Sequence, residues 1–92
     1  MFINKSPYGN NICGQNVSQF RKEIGISQRE LADRLQLFGL EIDKNAIQRI
    51  EAGKRFVTDI ELIALSNVLS KTYEELLIME EIEQLVGSEN CL

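Results

Sequence analysis

Lys44, Asn45, Gln48 and Arg49 carry hydrogen-bonding heads at spacings that put them on one face of a helix. A lysine or arginine donates to the two acceptors of a guanine edge, and a carboxamide both donates to and accepts from an adenine edge. Taken alone, four polar residues on a helix face are ordinarily a solvated surface, so both readings stand at this point. Other chemistries are poorly served. The chain has no histidine, which removes the commonest general base. Its carboxylates scatter along helical segments and suggest no paired acid and base. Cys13 and Cys91 lie near opposite ends, form no Cys-x-x-Cys pair and are read as two free thiols. A zinc site needs four ligands at close spacing. No cofactor, metal or enzymatic activity is therefore expected.

Side chains that read a groove must be held by rigid elements, and the apolar spacing predicts helices throughout. Residues 1–13 read as a flexible N-terminal arm, with the turn-forming run Ser6-Pro7-Tyr8-Gly9-Asn10-Asn11. The first helix is predicted from Gly14 to Ile24, with Val17, Phe20 and Ile24 on one face and Gly25 as its stop. Ser27-Gln28-Arg29-Glu30 has the form of a capping box and opens a second helix, which buries Leu31, Ala32 and Leu35 and ends near Leu37. Asp43 is a good N-cap for a third helix over Lys44–Ala52, with Ile47 and Ile50 facing inward and Gly53 ending it. Thr58-Asp59-Ile60-Glu61 opens a fourth helix, apolar on most sides and so expected at the centre of the core. Thr72-Tyr73-Glu74-Glu75 opens a fifth, predicted to continue toward Val86.

Ninety-two residues make one domain, and 43% hydrophobic with 26% charged residues is the composition of an ordinary globule. No apolar run is long enough to span a membrane, and the N-terminus lacks the apolar stretch of a secretory signal, so no membrane partner and a cytoplasmic location are expected. The net charge is −4 but unevenly placed. Residues 1–55 hold nine basic and six acidic side chains, a balance of +3, whereas residues 56–92 hold one and eight, a balance of −7. For a protein that meets phosphates the distribution matters more than the total.

The run Ser27-Gln28-Arg29-Glu30-Leu31-Ala32, followed by Ile47-Gln48-Arg49-Ile50-Glu51-Ala52-Gly53-Lys54, resembles the Cro and phage-repressor (XRE-type) helix-turn-helix family, over about residues 14–77. The resemblance implies an all-α, five-helix, lambda-repressor-like DNA-binding domain over residues 14–78 that binds double-stranded DNA and regulates transcription. Carried over residue by residue, it assigns base reading to Lys44, Asn45, Gln48 and Arg49. It assigns phosphate contact to Gln28, Lys54 and Arg55. It pairs Arg21 with Glu51 as a partly buried ion pair that sets the angle of the third helix.

Two departures stand out. Ala32 precedes Ile47 by fifteen residues, about five more than in the family, which lengthens the turn around Phe38-Gly39-Leu40-Glu41-Ile42. Either Leu40 and Ile42 plug that turn into the core, or the third helix is shifted. Ser70-Lys71 also stands where the family tends to have a glycine and a hydrophobe. Beyond the fifth helix, Ile78, Met79, Ile82, Leu85 and Val86 continue an apolar stripe. Residues 79–92 are read as a C-terminal helix extension and tail, either folded back on the domain or serving as the seam of a homodimer. The expected function is a repressor acting as a homodimer on a near-palindromic operator. The alternative is a protein-interaction module, an antitoxin or anti-repressor, that uses the same fold to hold a regulatory protein partner.

Overall fold

The computed structural model describes residues 9–78. They form five helices: α1 (Gly14–Glu23), α2 (Gln28–Gln36), α3 (Lys44–Glu51), α4 (Asp59–Leu69) and α5 (Tyr73–Leu77), with no strand among the described residues. The all-α expectation is met. No described helix is long and apolar enough to cross a membrane.

Local signals account for most helix starts. The Ser27 hydroxyl accepts from the Glu30 N–H at 3.0 Å, one half of the expected box. The Asp43 carboxylate accepts from the Ala46 N–H at 2.8 Å. Thr58 with Glu61, and Thr72 with Glu75, form complete reciprocal boxes. α1 differs, because Cys13 offers no side-chain cap and the Asn11 Oδ1 accepts from the Gly14 N–H at 2.8 Å instead. At its C-terminal end α3 closes on left-handed Gly53, with Gly53 N–H donating to the Ile50 carbonyl and Lys54 N–H to the Arg49 carbonyl.

α4 closes differently. Ser70 occupies the left-handed region at φ 54, where a side chain is disfavoured. Ser70→Gly is expected to stabilise the domain by about 1 kcal/mol, because glycine adopts this conformation without the Cβ penalty. Thermal denaturation of the two proteins side by side checks this, and a lower midpoint for the glycine form would contradict it.

The core is a single cluster in which Val17, Leu31, Leu35, Ile47, Ile50, Leu65, Leu69 and Leu76 are closed to solvent. α2 crosses α3, and α1, α4 and α5 cover the remaining sides. Two expectations about the core need correction. Ile24 is exposed: α1 stops at Glu23, Gly25 reverses the chain, and Ile26 enters the core in its place. α4 is not enclosed on most sides: it buries Ala64, Leu65 and Leu69, while Ile60 and Ile63 are 65% and 48% exposed. Its apolar sequence exceeds what the described neighbours cover.

The long turn is plugged rather than shifted. Ile42 is buried, Leu40 packs against the core, and the Gln36 carboxamide donates to the Ile42 carbonyl at 2.9 Å. α3 consequently begins at Lys44, as its cap predicts.

Both ends of the domain also depart from expectation. Residues 9–13, assigned to a flexible arm, are bound to the loop after α3: Asn10 N–H donates to the Gly53 carbonyl at 2.8 Å, and Cys13 is buried. α5 does not run on continuously, because Ile78 is extended. The Asn16 carboxamide donates to the carbonyls of Leu76 at 2.8 Å and Ile78 at 2.7 Å, satisfying groups that a continuing helix would have used itself. The arm residues 1–8, the extension over 79–92 with Met79, Ile82, Leu85 and Val86, and Cys91 lie outside the described residues.

Candidate nucleic-acid interface

α3 is a short helix with two chemically distinct sides. Ile47 and Ile50 are fully buried and seat it against the core. Lys44, Asn45, Gln48 and Arg49 are all exposed, and none of their side chains makes a hydrogen bond or ion pair with another described residue. The structure thus brings the four sequence-selected side chains together on one open face, with their donors and acceptors available.

A buried polar knot holds the opposite side of the same helix. Arg21 Nε donates to Glu51 Oε2 at 2.7 Å, and Arg21 Nη2 to Glu51 Oε1 at 3.1 Å. Arg21 Nη1 donates to the Ile26 carbonyl at 2.8 Å, and Gln28 Nε2 to Glu51 Oε1 at 3.0 Å. The carboxylate at the last turn of α3 therefore fastens α1 and the start of α2, and Arg21 ties in the loop between them. A fork-to-fork guanidinium–carboxylate pair is directional, so it restrains rotation of α3 about its own axis.

The residues expected on phosphates divide. Lys54 is exposed just past Gly53 and has no ionic partner among the described residues. Gln28 has one amide N–H on Glu51, which leaves its other side-chain N–H and the backbone N–H groups of Gln28 and Arg29 for an anion, since that of Glu30 is held by Ser27. Arg55 is already engaged within the domain. Its Nη1 and Nη2 grip Glu61 Oε1 and Oε2 at 2.9 and 3.0 Å, and Nη1 also donates to the Phe56 carbonyl at 3.1 Å. Burial pushes the Glu61 carboxyl up, but the Arg55 bonds and the Thr58 N–H outweigh it and hold the group below the usual carboxylate range. Arg55 thus ties the α3–α4 loop to α4.

Sequence reasoning missed the two asparagines before α1. Asn11 Nδ2 donates to the carbonyls of Ile50 at 3.1 Å and Arg55 at 2.7 Å, and Asn10 Nδ2 donates to the Lys54 carbonyl at 2.9 Å. The available signal was Asn11 itself, a strong capping residue type just before a helix. Nothing local revealed that its amide crosses to α3. Cys13 is a free thiol, and burial pushes it up to about 11, so it is unsuited to act as a nucleophile near neutral pH. No group of three or more metal-ligating side chains occurs among the described residues.

A rigidly seated helix with an open polar face, crossed by a second helix whose N-terminus lies beside it, defines a helix-turn-helix DNA-binding domain. The chain belongs to the XRE-type helix-turn-helix family, whose model matches residues 17–76. Among solved structures it is similar to the restriction-modification controller protein C.AhdI from Aeromonas hydrophila, with a TM-score of 0.61 and 26% sequence identity over 70% of this chain and 86% of that one. No curated protein matches the chain. Membership of this family supports a DNA-binding transcription regulator.

Proposed function

We propose that this regulator is a sequence-specific repressor that binds double-stranded DNA as a homodimer, with α3 in the major groove. The observation that carries the reading is the open face of Lys44, Asn45, Gln48 and Arg49 on a helix locked from behind by Glu51. A helix fits the major groove of B-DNA, and these are the side-chain types that distinguish guanine and adenine edges there. Lys54 and the N-terminal end of α2, with Gln28, meet the flanking phosphates and set the register. The charge distribution supports the same orientation: the basic excess lies in residues 1–55, and the acidic excess lies in the segment that carries α4 and α5.

Dimerisation is supported by the apolar surface that the core leaves uncovered. Ile60 and Ile63 on α4, and Leu77 and Ile78 at the end of α5, are exposed. A two-fold axis through such a surface sets two recognition helices about 34 Å apart, one turn of DNA, and matches a near-palindromic site. Repression is the role that occupancy alone delivers, since a domain seated on a promoter excludes other proteins from it, and no catalytic step is invoked. The exposed apolar residues also suit a different protein partner. A heteropartner at fixed stoichiometry, without salt-sensitive DNA binding, would select that second reading.

The test is a binding titration on a duplex selected from random sequences, at several salt concentrations, with sedimentation of the complex. Arg49→Ala is expected to lose about 1–3 kcal/mol on the selected duplex and to relax preference at one base position. Lys54→Ala should weaken selected and random duplexes alike and reduce the slope of log affinity against log salt by about one. The complex should sediment with two protein chains per duplex. Equal losses on both duplexes for both variants would remove the base-reading assignment.

A further inference from the structure

The loop after α3 is built in an unusual way, because the bonds that hold its carbonyls come largely from the segment before α1. The last carbonyls of a helix have no partners within it and need donors from elsewhere. Here the Gly53 carbonyl accepts from the Asn10 N–H at 2.8 Å, and the Lys54 carbonyl from Asn10 Nδ2 at 2.9 Å. The Arg55 and Ile50 carbonyls accept from Asn11 Nδ2 at 2.7 and 3.1 Å. Asn11 Oδ1 completes the set by accepting from the Gly14 N–H at 2.8 Å. The two strands of chain lie so close that a Cβ on Gly9, itself left-handed at φ 82, would stand 2.7 Å from the Gly53 carbonyl oxygen.

We propose that Asn10 and Asn11 are positioning residues for DNA binding, which hold the backbone on both sides of Lys54 so that its ammonium group meets a phosphate in a fixed place. The peptide planes before and after Lys54 end in the Gly53 and Lys54 carbonyls, and Asn10 bonds to both. Fixing two flanking peptide planes fixes the φ and ψ between them, and so the direction of the Cα–Cβ bond. Lys54 N–H donates to the Arg49 carbonyl at 2.9 Å, which references the same residue to α3. The long, flexible lysine stem then needs to order only its own torsions on reaching the duplex. Asn10 and Asn11 are themselves only partly buried, so the junction acts mainly through polar bonds rather than through apolar burial.

This inference rests on the DNA-binding reading, and the experiment separates the two. Wild type, Asn10→Ala, Asn11→Ala, Lys54→Ala and the two double variants with Lys54→Ala are titrated against the selected duplex and a random duplex at several salt concentrations. Circular dichroism gives the folded fraction of each. Asn10→Ala is expected to weaken binding to both duplexes by a similar factor, about 3- to 10-fold, and to lower the salt slope toward that of Lys54→Ala. In the Lys54→Ala background the asparagine changes should add little further loss, because the group they position is already gone. A purely structural role would lower the folded fraction without moving the salt slope of the folded protein. An unchanged slope for Asn10→Ala, or losses that add fully to Lys54→Ala, would overturn the inference while leaving DNA binding intact. Should Asn11→Ala fold poorly, Asn10→Ala alone decides. A wild type with no salt-sensitive binding would overturn the DNA reading, and this inference with it.

Discussion

Glu51→Ala is expected to destabilise the domain by about 3–5 kcal/mol, the range for removing one partner of a buried ion pair. The Glu51 side chain is 7% exposed and that of Arg21 11%. Removal of the carboxylate leaves the Arg21 guanidinium with only the Ile26 carbonyl and strips Gln28 of its acceptor. A buried cation without its counter-charge is the main penalty, so the loss exceeds what a surface pair of about 0–1 kcal/mol would give. Urea denaturation followed by circular dichroism measures it, and a loss under about 1 kcal/mol would show that water reaches the pair. A companion variant separates stability from orientation. With Arg21→Met and Glu51→Leu combined, no charge is stranded, and much of the stability should return. Affinity for the selected duplex should stay low, because apolar contacts do not restrain the rotation of α3 as the forked bonds do.

Gly14→Ala is the second large effect, expected to destabilise by about 3 kcal/mol as an overpacked contact that cannot relax. On an open helix this change is favourable by about 1 kcal/mol, since alanine is the better helix former, so the sign itself is diagnostic. Here the added Cβ would collide with the backbone carbonyl oxygen of Ile50 and stand 2.8 Å from Asn11 Oδ1. The Ile50 oxygen cannot swing aside, because it belongs to α3 and accepts from both the Gly53 N–H and Asn11 Nδ2. α1 must therefore retreat from α3, which loosens Val17 and Ile50 in the core as well. Calorimetry would show a clearly lower midpoint, and a midpoint equal to or above that of wild type would mean that the two helices separate at little cost.

What the sequence revealed, and what it hid, follows the range of the interactions. The start of α3 was legible because Asp43 and the Ile47/Ile50 spacing act within one or two turns. The exposure of Lys44, Asn45, Gln48 and Arg49 follows from that same periodicity. The pairing of Arg21 with Glu51 came through resemblance to a family, since thirty residues separate the two and no spacing rule joins them. The bond of Arg55 to Glu61 is not legible, because Glu61 already serves the capping box of α4 and one carboxylate fills both roles. Ile60 and Ile63 belong to an apolar pattern that suggests core, because such a pattern records affinity for a neighbour without recording where that neighbour lies. The ordering of residues 9–13 is hidden for a related reason: turn-forming residues look alike whether or not their amides find distant carbonyls.

The junction between Asn10–Asn11 and residues 53–55 also bears on how the molecule assembles. Its bonds join positions up to 44 residues apart, whereas the helices on either side close over a few residues each. Loop-closure entropy makes such distant contacts slow relative to local ones, so α3 should acquire helical backbone before its far end is tied down. The final step of folding would then be the one that finishes the groove-facing rod, completed by a segment synthesised before the helix it holds.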